Sequence, residues 1–367
     1  MIGKTNRSRR PSWRRHSRLT AIAALGVTSA LLAACGGSSS GAVSAGAASG
    51  KAGSGSLDNV TFLNILPLES LSFAPELLAD TGGFFKKEGL HVSFQLTKGS
   101  AQAIQTVIAG KALITRVGDI ETMVDSAKGA PIMNIGTATK HGTIRVVSST
   151  RKPLTKASDF AGTTVGLPSA GGTSQTTLDL INASAGNKPS ETKTQVVGLA
   201  PGVFNLVDSG RIDAYVVSLD TAIALKQQQP HAVIYDPNDA ITAGAQLYLT
   251  SKDQAKDPKK ADELKRYLRA VDAAVKFMIK DKANGFAQTM KLISSKYKVP
   301  SLADPKVGRA ALSGYVDSFT AAGPDKIDTT VPATWDKTYQ ELVSAGLVKS
   351  GLKPNDWYSN AFAPGTP

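Results

Sequence analysis

Apolar and polar positions along this chain follow two periods that repeatedly trade places from residue 57 onward. Residues 60–67 read as a strand that ends in a Pro-containing loop, and a helix is predicted over 75–88, stopped by Gly89. The run 91–96 alternates with period two, Gly99-Ser100 open a helix to 109, and the strand 113–117 ends at Gly118-Asp119. A further helix precedes a strand over 132–137. The rhythm resumes with strands at 143–147 and 163–167, a loop 168–174 leading into a helix, a strand 195–198 and a helix 201–209. Strands at 214–217 and 233–236 follow, and 245–250 closes this second set. Strand, loop, helix, repeated, predicts parallel sheets covered by helices. The stretch 257–323 reads as helical, broken near Pro300 and Pro305. Its surroundings, 252–309, hold 15 basic and 7 acidic residues, which read as solvated helix faces rather than a docking surface. Two α/β sets and returning helices predict two lobes with a cleft between them, and ligands in such sheets bind where strands run into loops.

The first 56 residues break this pattern. Residues 1–34 carry Lys4, Arg7, Arg9, Arg10, Arg14, Arg15 and Arg18 and no acid, and 19–32 form an uncharged, mostly apolar stretch too short for a comfortable membrane span. Leu32-Ala33-Ala34-Cys35-Gly36 then resembles the bacterial lipoprotein signal, in which the Cys is lipidated. Residues 36–56 are nearly all Gly, Ser and Ala, the composition of a flexible tether. A signal peptide over 1–34, a lipid on Cys35, a linker to 56 and a body beyond place the protein on the extracytoplasmic face of the cell membrane. The arginine pairs leave the export route, general or twin-arginine, open.

Composition changes the picture in three ways. The formal charge is +13, but seven of the 42 basic residues belong to the leader, leaving 35 against 29 acids in the rest. The body is only mildly basic and needs no nucleic-acid partner. The single Cys allows no internal disulfide and no Cys-rich metal site, and once lipidated it is no nucleophile. After the leader the histidines are His91, His141 and His231, without metal-ligand spacing, and neither H-E-x-x-H nor G-x-S-x-G occurs. The reading is therefore a protein that binds without chemistry, with no cofactor and no metal.

Several segments resemble one family. Gly82-Gly83-Phe84-Phe85-Lys86-Lys87-Glu88-Gly89-Leu90-His91-Val92 is similar to its "G-x-F-x-x-E-G-L-x-V". Gly110 with Val117-Gly118-Asp119, Lys128-Gly129-Ala130-Pro131, 157–166 and Ser209-Gly210-Arg211-Ile212-Asp213-Ala214 match its further motifs in order. The family is that of ABC-transporter substrate-binding proteins, within it the nitrate/sulfonate/taurine and thiamine-precursor (NMT1/THI5-like) group. The resemblance implies a type II periplasmic-binding-protein fold: two α/β lobes joined by two hinge crossovers that close around one small ligand. The first lobe would be 57–142 with the return from 252–367, and the second 143–251. It also implies a monomer that docks on an ABC permease. An enzyme on the same fold, of the pyrimidine or menaquinone-precursor type, and a receptor feeding a signalling partner are the alternatives. The Cys-rich motif of the eukaryotic pyrimidine synthases is missing here.

Candidate ligand contacts follow from the loops. Gly171-Gly172-Thr173-Ser174 open a helix, where free amides and the helix dipole favour an anion or a carbonyl oxygen, and Ser169 adds a hydroxyl. Gly99-Ser100 are the first-lobe counterpart. Asp119, after Gly118, either caps the next helix or accepts a ligand hydrogen bond, and Asp220 is its second-lobe equivalent. If the resemblance holds, Ser70, Ser72 and Phe73 face the cleft, Phe73 either stacking on a flat ligand or stapling the following helix. Trp335 is read as core filling before a cleft lid, and Arg116, in an apolar strand, needs a carboxylate partner. The ligand is either a sulfonate- or nitrate-like anion or a neutral heteroaromatic of pyrimidine type. Glu69, Asp119 and Asp220 near the mouth tilt the reading towards the second.

Overall fold

Ten strands divide into two five-stranded sheets in a computed structural model that describes residues 56–170, 172–198 and 201–365. The leader, Cys35 and the tract up to residue 55 lie outside the described residues, as does Gly171. The first sheet takes β1 (Asp58–Asn64), β2 (Leu90–Leu96), β3 (Ile114–Gly118), β4 (Ile132–Thr137) and β10 (Gln246–Ser251), in the order β2-β1-β3-β10-β4. The second takes β5 (Ile144–Ser149), β6 (Thr164–Leu167), β7 (Lys193–Val196), β8 (Ala214–Ser218) and β9 (Ala232–Tyr235), in the order β7-β6-β8-β5-β9. All five residues of the central β3 are buried, whereas all four of the edge strand β7 are exposed. A strand covered on both faces tolerates no alternation, and an edge strand needs none.

Both sheets are mixed, which corrects the expectation of parallel sheets. β10 runs antiparallel to β3 and β4, and β5 runs antiparallel to β8 and β9. β10 also corrects the placement of 245–250 in the second set, because it fills the slot between β3 and β4 of the first sheet. The reason is the connectivity: after β4 the chain crosses over 138–143 into β5, and after β9 it crosses back over 236–245 into β10. Each crossing delivers a strand that enters its sheet from the far end. The crossovers are tied together, Gly142 N donating to Asn238 Oδ1 at 3.0 Å and Asn238 Nδ2 to the Gly142 carbonyl at 2.8 Å.

Twelve helices are described. In the first lobe α1 (Ala74–Thr81) and α2 (Phe84–Lys87) divide the single helix expected over 75–88, because Gly83 takes a left-handed conformation at φ 71° that breaks the ladder. α3 (Ser100–Ile108) and α4 (Asp119–Ala127) follow β2 and β3; α5 (Gly172–Ser184), α6 (Phe204–Asp208) and α7 (Leu219–Gln228) flank the second sheet. The C-terminal return holds α8 (Lys252–Lys256), α9 (Pro258–Asp281), α10 (Ala287–Ser294), α11 (Pro305–Thr320) and α12 (Pro332–Ser344). α9 shows why the sequence reads as helix there. Asp257 caps it by accepting from Lys260 N at 2.9 Å, Pro258 stands at its first turn, and Leu264, Tyr267, Leu268, Val271, Val275 and Met278 bury one stripe. Tyr267 stacks on Phe62 of β1, with ring centroids 5.8 Å apart and planes at 8°. α11 reaches across to the second lobe: a Cβ on Gly314 would stand 2.9 Å from Leu219 Cδ2 of α7. Among the described residues no helix is long and apolar enough to cross a membrane.

Candidate functional site

A cleft of about 550 Å³ lies between the two sheets, and residues of both lobes line it. That is an ordinary size for a small-molecule site. Its walls come from the segments that follow β1, β2, β6 and β8, from Thr143 and Gln246 beside the starts of the reversed strands β5 and β10, and from 300–307 of the C-terminal return. The reversed strands run the other way, so their first residues meet the carboxyl ends of their neighbours. Thus one edge of both sheets faces the site, as expected for α/β folds, and the C-terminal return closes part of it.

Of the residues singled out from sequence, Ser70, Ser72, Phe73, Gly99, Ser100, Ser169, Gly172, Thr173, Ser174 and Asp220 border this cleft. Gly118 and Asp119 do not. Asp119 is the first residue of α4, and its carboxylate turns to the second crossover: Oδ1 accepts from Gly244 N at 3.0 Å and Oδ2 from Ala245 N at 3.2 Å. Oδ1 also accepts from Ile120 N at 2.8 Å. Burial pushes its pKa up to about 7, against the pull of these amides. Asp119 borders a separate cavity of about 310 Å³, which Trp335 also lines. Trp335 is buried there, its Nε1 donating to the Pro354 carbonyl at 2.9 Å, as core filling requires.

Asp220 is a lobe-to-lobe connection. From α7 of the second lobe it accepts from Ser70 Oγ at 3.1 Å, Leu71 N at 3.2 Å, Ser301 Oγ at 3.0 Å and Tyr315 OH at 3.0 Å. All four donors stand in the loop after β1 or in the C-terminal return. A reciprocal connection runs the other way. Glu121 of α4 places Oε1 at 3.0 Å from Thr173 N and 2.7 Å from Thr173 Oγ1, on the first turn of α5. Each lobe therefore hands one carboxylate to backbone N–H and hydroxyl donors of the other.

Arg116 finds its carboxylate in Glu76 of α1. Nη1 donates to Glu76 Oε1 at 3.0 Å and Oε2 at 3.1 Å, and Nη2 to the Ser72 carbonyl. Tyr248 OH donates to Glu76 Oε1 at 2.9 Å. Burial pushes the Glu76 carboxyl up while the guanidinium pulls it down. The Arg116 guanidinium lies 4.5 Å from the centre of the Phe73 ring, and Phe73 is itself 2% exposed. Phe73 is thus a core residue with one edge on the cleft. Among the described residues no group of three or more His, Cys, Asp or Glu stands together as a metal site.

Sequence reasoning missed Glu76, Glu121, Ser301 and Tyr315. Glu121 had a local signal, since it stands two residues beyond Asp119 in the first turn of the same helix. Ser301 and Tyr315 had none, being 81 and 95 residues from the carboxylate they bind.

Comparison with known proteins bears on this geometry. No curated protein matches the chain significantly. Among solved structures, the alkanesulfonate-binding protein SsuA of Xanthomonas axonopodis pv. citri, bound to MOPS, is similar at a TM-score of 0.63 and 12% identity, over 84% of this chain and 99% of that one. The periplasmic nitrate-binding protein NrtA of Synechocystis PCC 6803 is similar at 0.59 and 13%, over 84% and 87%. The desulfurization enzyme DszB shares the fold at 0.52 and 18%, over 83% and 97%. At these identities the likeness is one of fold: two mixed α/β lobes in the periplasmic-binding-protein arrangement. The family model described as "NMT1/THI5 like" matches residues 70–284, more than half of the chain and every strand but β1, so the chain belongs to the NMT1/THI5-like family.

Proposed function

We propose that this protein is a lipid-anchored extracytoplasmic receptor that captures one small organic molecule between its lobes and presents it to an ABC importer, without chemistry. The carrying observation is the cleft of about 550 Å³ that both lobes line, framed by two crossovers. Rotation about 138–143 and 236–245 opens it, and the contacts of Asp220 and Glu121 re-form on closure. Solute-binding relatives of the same fold, for an alkanesulfonate and for nitrate, support this reading. The signal Leu32-Ala33-Ala34-Cys35 supports the anchor. The proposed contacts are the hydroxyls and amides of Ser72, Gly99, Ser100, Ser169 and Ser174.

The test is thermal unfolding of the full chain against a panel of sulfonates, nitrate, pyrimidines and flavin precursors. A ligand at 100 times its Kd adds about 2.7 kcal/mol to stability. Stabilisation by one class without product formation is the expected result. Turnover of a panel compound with no stabilisation by any would replace the receptor with an enzyme. Separately, Cys35→Ser should release the protein from membranes, and continued membrane retention would remove the anchor.

A further inference from the structure

We infer that Glu121 makes the cleft refuse anions, so that its ligand is an organic molecule without net negative charge. This rests on the receptor reading and names the ligand class of that same site.

The first turn of α5 is where an anion would be drawn, because its amides have no partners within the helix and carry the positive end of the dipole. One of those amides, that of Thr173, is already taken from the other lobe. Glu121 Oε1 sits 3.0 Å from Thr173 N and 2.7 Å from Thr173 Oγ1, and its Oε2 is buried without a partner. The backbone makes room for it: a Cβ on Gly118 would stand 2.4 Å from Glu121 Oε2 and 2.6 Å from Thr173 Oγ1. A sulfonate or nitrate at this turn must therefore expel this carboxylate or bind beside its charge, whose Oε2 is buried without a partner.

The rest of the wall supplies no compensation. Arg116 is neutralised by Glu76, which meets its Nη1 at 3.0 and 3.1 Å, and its Nη2 is held by the Ser72 carbonyl. Among the described lining residues the remaining cation is Lys98, set against the carboxylates of Glu69, Asp220 and Asp304. What remains is hydroxyl and apolar surface, from Ser169, Thr221, Pro168 and Val217 among others. Such a wall suits a neutral or cationic heterocycle.

The test titrates ethanesulfonate and nitrate into the full-length wild type, Glu121→Ala and Glu121→Gln, each with its melting curve as a folding control. The wild type should bind neither anion in the millimolar range. The Ala variant, with the α5 amides vacated, should gain at least about tenfold in ethanesulfonate affinity. The Gln variant keeps an acceptor for Thr173 but no charge, and should fall between them. If the Ala variant does not fold, a gain in the Gln variant decides on the same criterion. A wild type that binds ethanesulfonate as tightly as the variants overturns the inference and leaves the receptor reading standing. Folded variants that gain no anion binding overturn it too. Failure of the receptor reading has a different signature, turnover of a panel compound with no stabilising ligand.

Discussion

Asp119 and Asp220 stand at matching places in their lobes, just past the third strand of each sheet, yet they serve different ends. Asp119 follows β3 and fastens α4 to the returning crossover through Gly244 N and Ala245 N. Asp220 follows β8 and fastens α7 to the opposite lobe through Ser70, Leu71, Ser301 and Tyr315. The two carboxylates leave their helices in different directions. Asp119 is the first residue of its helix and Asp220 the second, and one residue turns a side chain about 100° around the axis. In α4 the second position is the buried Ile120, and the carboxylate that reaches across the lobes is the third residue, Glu121. A carboxylate at a strand-to-helix junction is thus a local signal for a helix start, and its partner depends on which way the first turn faces.

The sharpest way to break this comparison is to remove Asp220. Asp220→Ala leaves four donors without their acceptor, three of them hydroxyls, those of Ser301 and Tyr315 on buried residues, and should cost about 3–5 kcal/mol in urea unfolding. A loss below about 1 kcal/mol would show that these groups find other partners and that the lobes are held elsewhere. Asp119 predicts an effect that depends on pH. Its folded pKa of about 7 lies above the ordinary 3.8, so its stabilising contribution is full below pH 3.8 and is lost as pH rises through 7. Wild-type stability measured relative to Asp119→Asn should therefore fall across that window, by roughly 4 kcal/mol, and then level off. A difference that grows with pH would mean that the Gly244 and Ala245 amides outweigh burial. The smallest effect is expected from Tyr315→Phe, which removes one hydroxyl donor to Asp220 and should cost about 1.5 kcal/mol. The same substitution made in Asp220→Ala should cost close to nothing, and a full cost there would uncouple the two residues.

Most of the elements were legible because their signals are local. Asp257-Pro258 announces α9 and the alternation in 91–96 announces β2, whereas the break at Gly83 that ends α1 goes unread in a pattern that predicts one helix to 88. The cleft loops were legible for the same reason, since Gly99-Ser100 and Gly172-Thr173 are helix starts that follow strands. The direction and home of β10 were not. Its residues, Gln246–Ser251, read as a buried strand in either lobe, and burial carries no information about which sheet supplies the neighbours. The Glu76–Arg116 pair was half legible: an arginine in a buried strand demands a carboxylate, but not one 40 residues away.

From the sequence alone come a two-lobed α/β protein and a set of glycine and hydroxyl loops at strand ends, with the lipoprotein signal at Cys35 as an expectation. These follow from periodicity, capping and turn chemistry, which act over a few residues. The tertiary structure decided that both sheets are mixed, that Asp119 serves the crossover rather than the cleft, and that Glu121 occupies the turn of α5 where an anion would bind. Those outcomes depend on which groups from distant segments meet, and on burial strong enough to change what a carboxylate does once it is there.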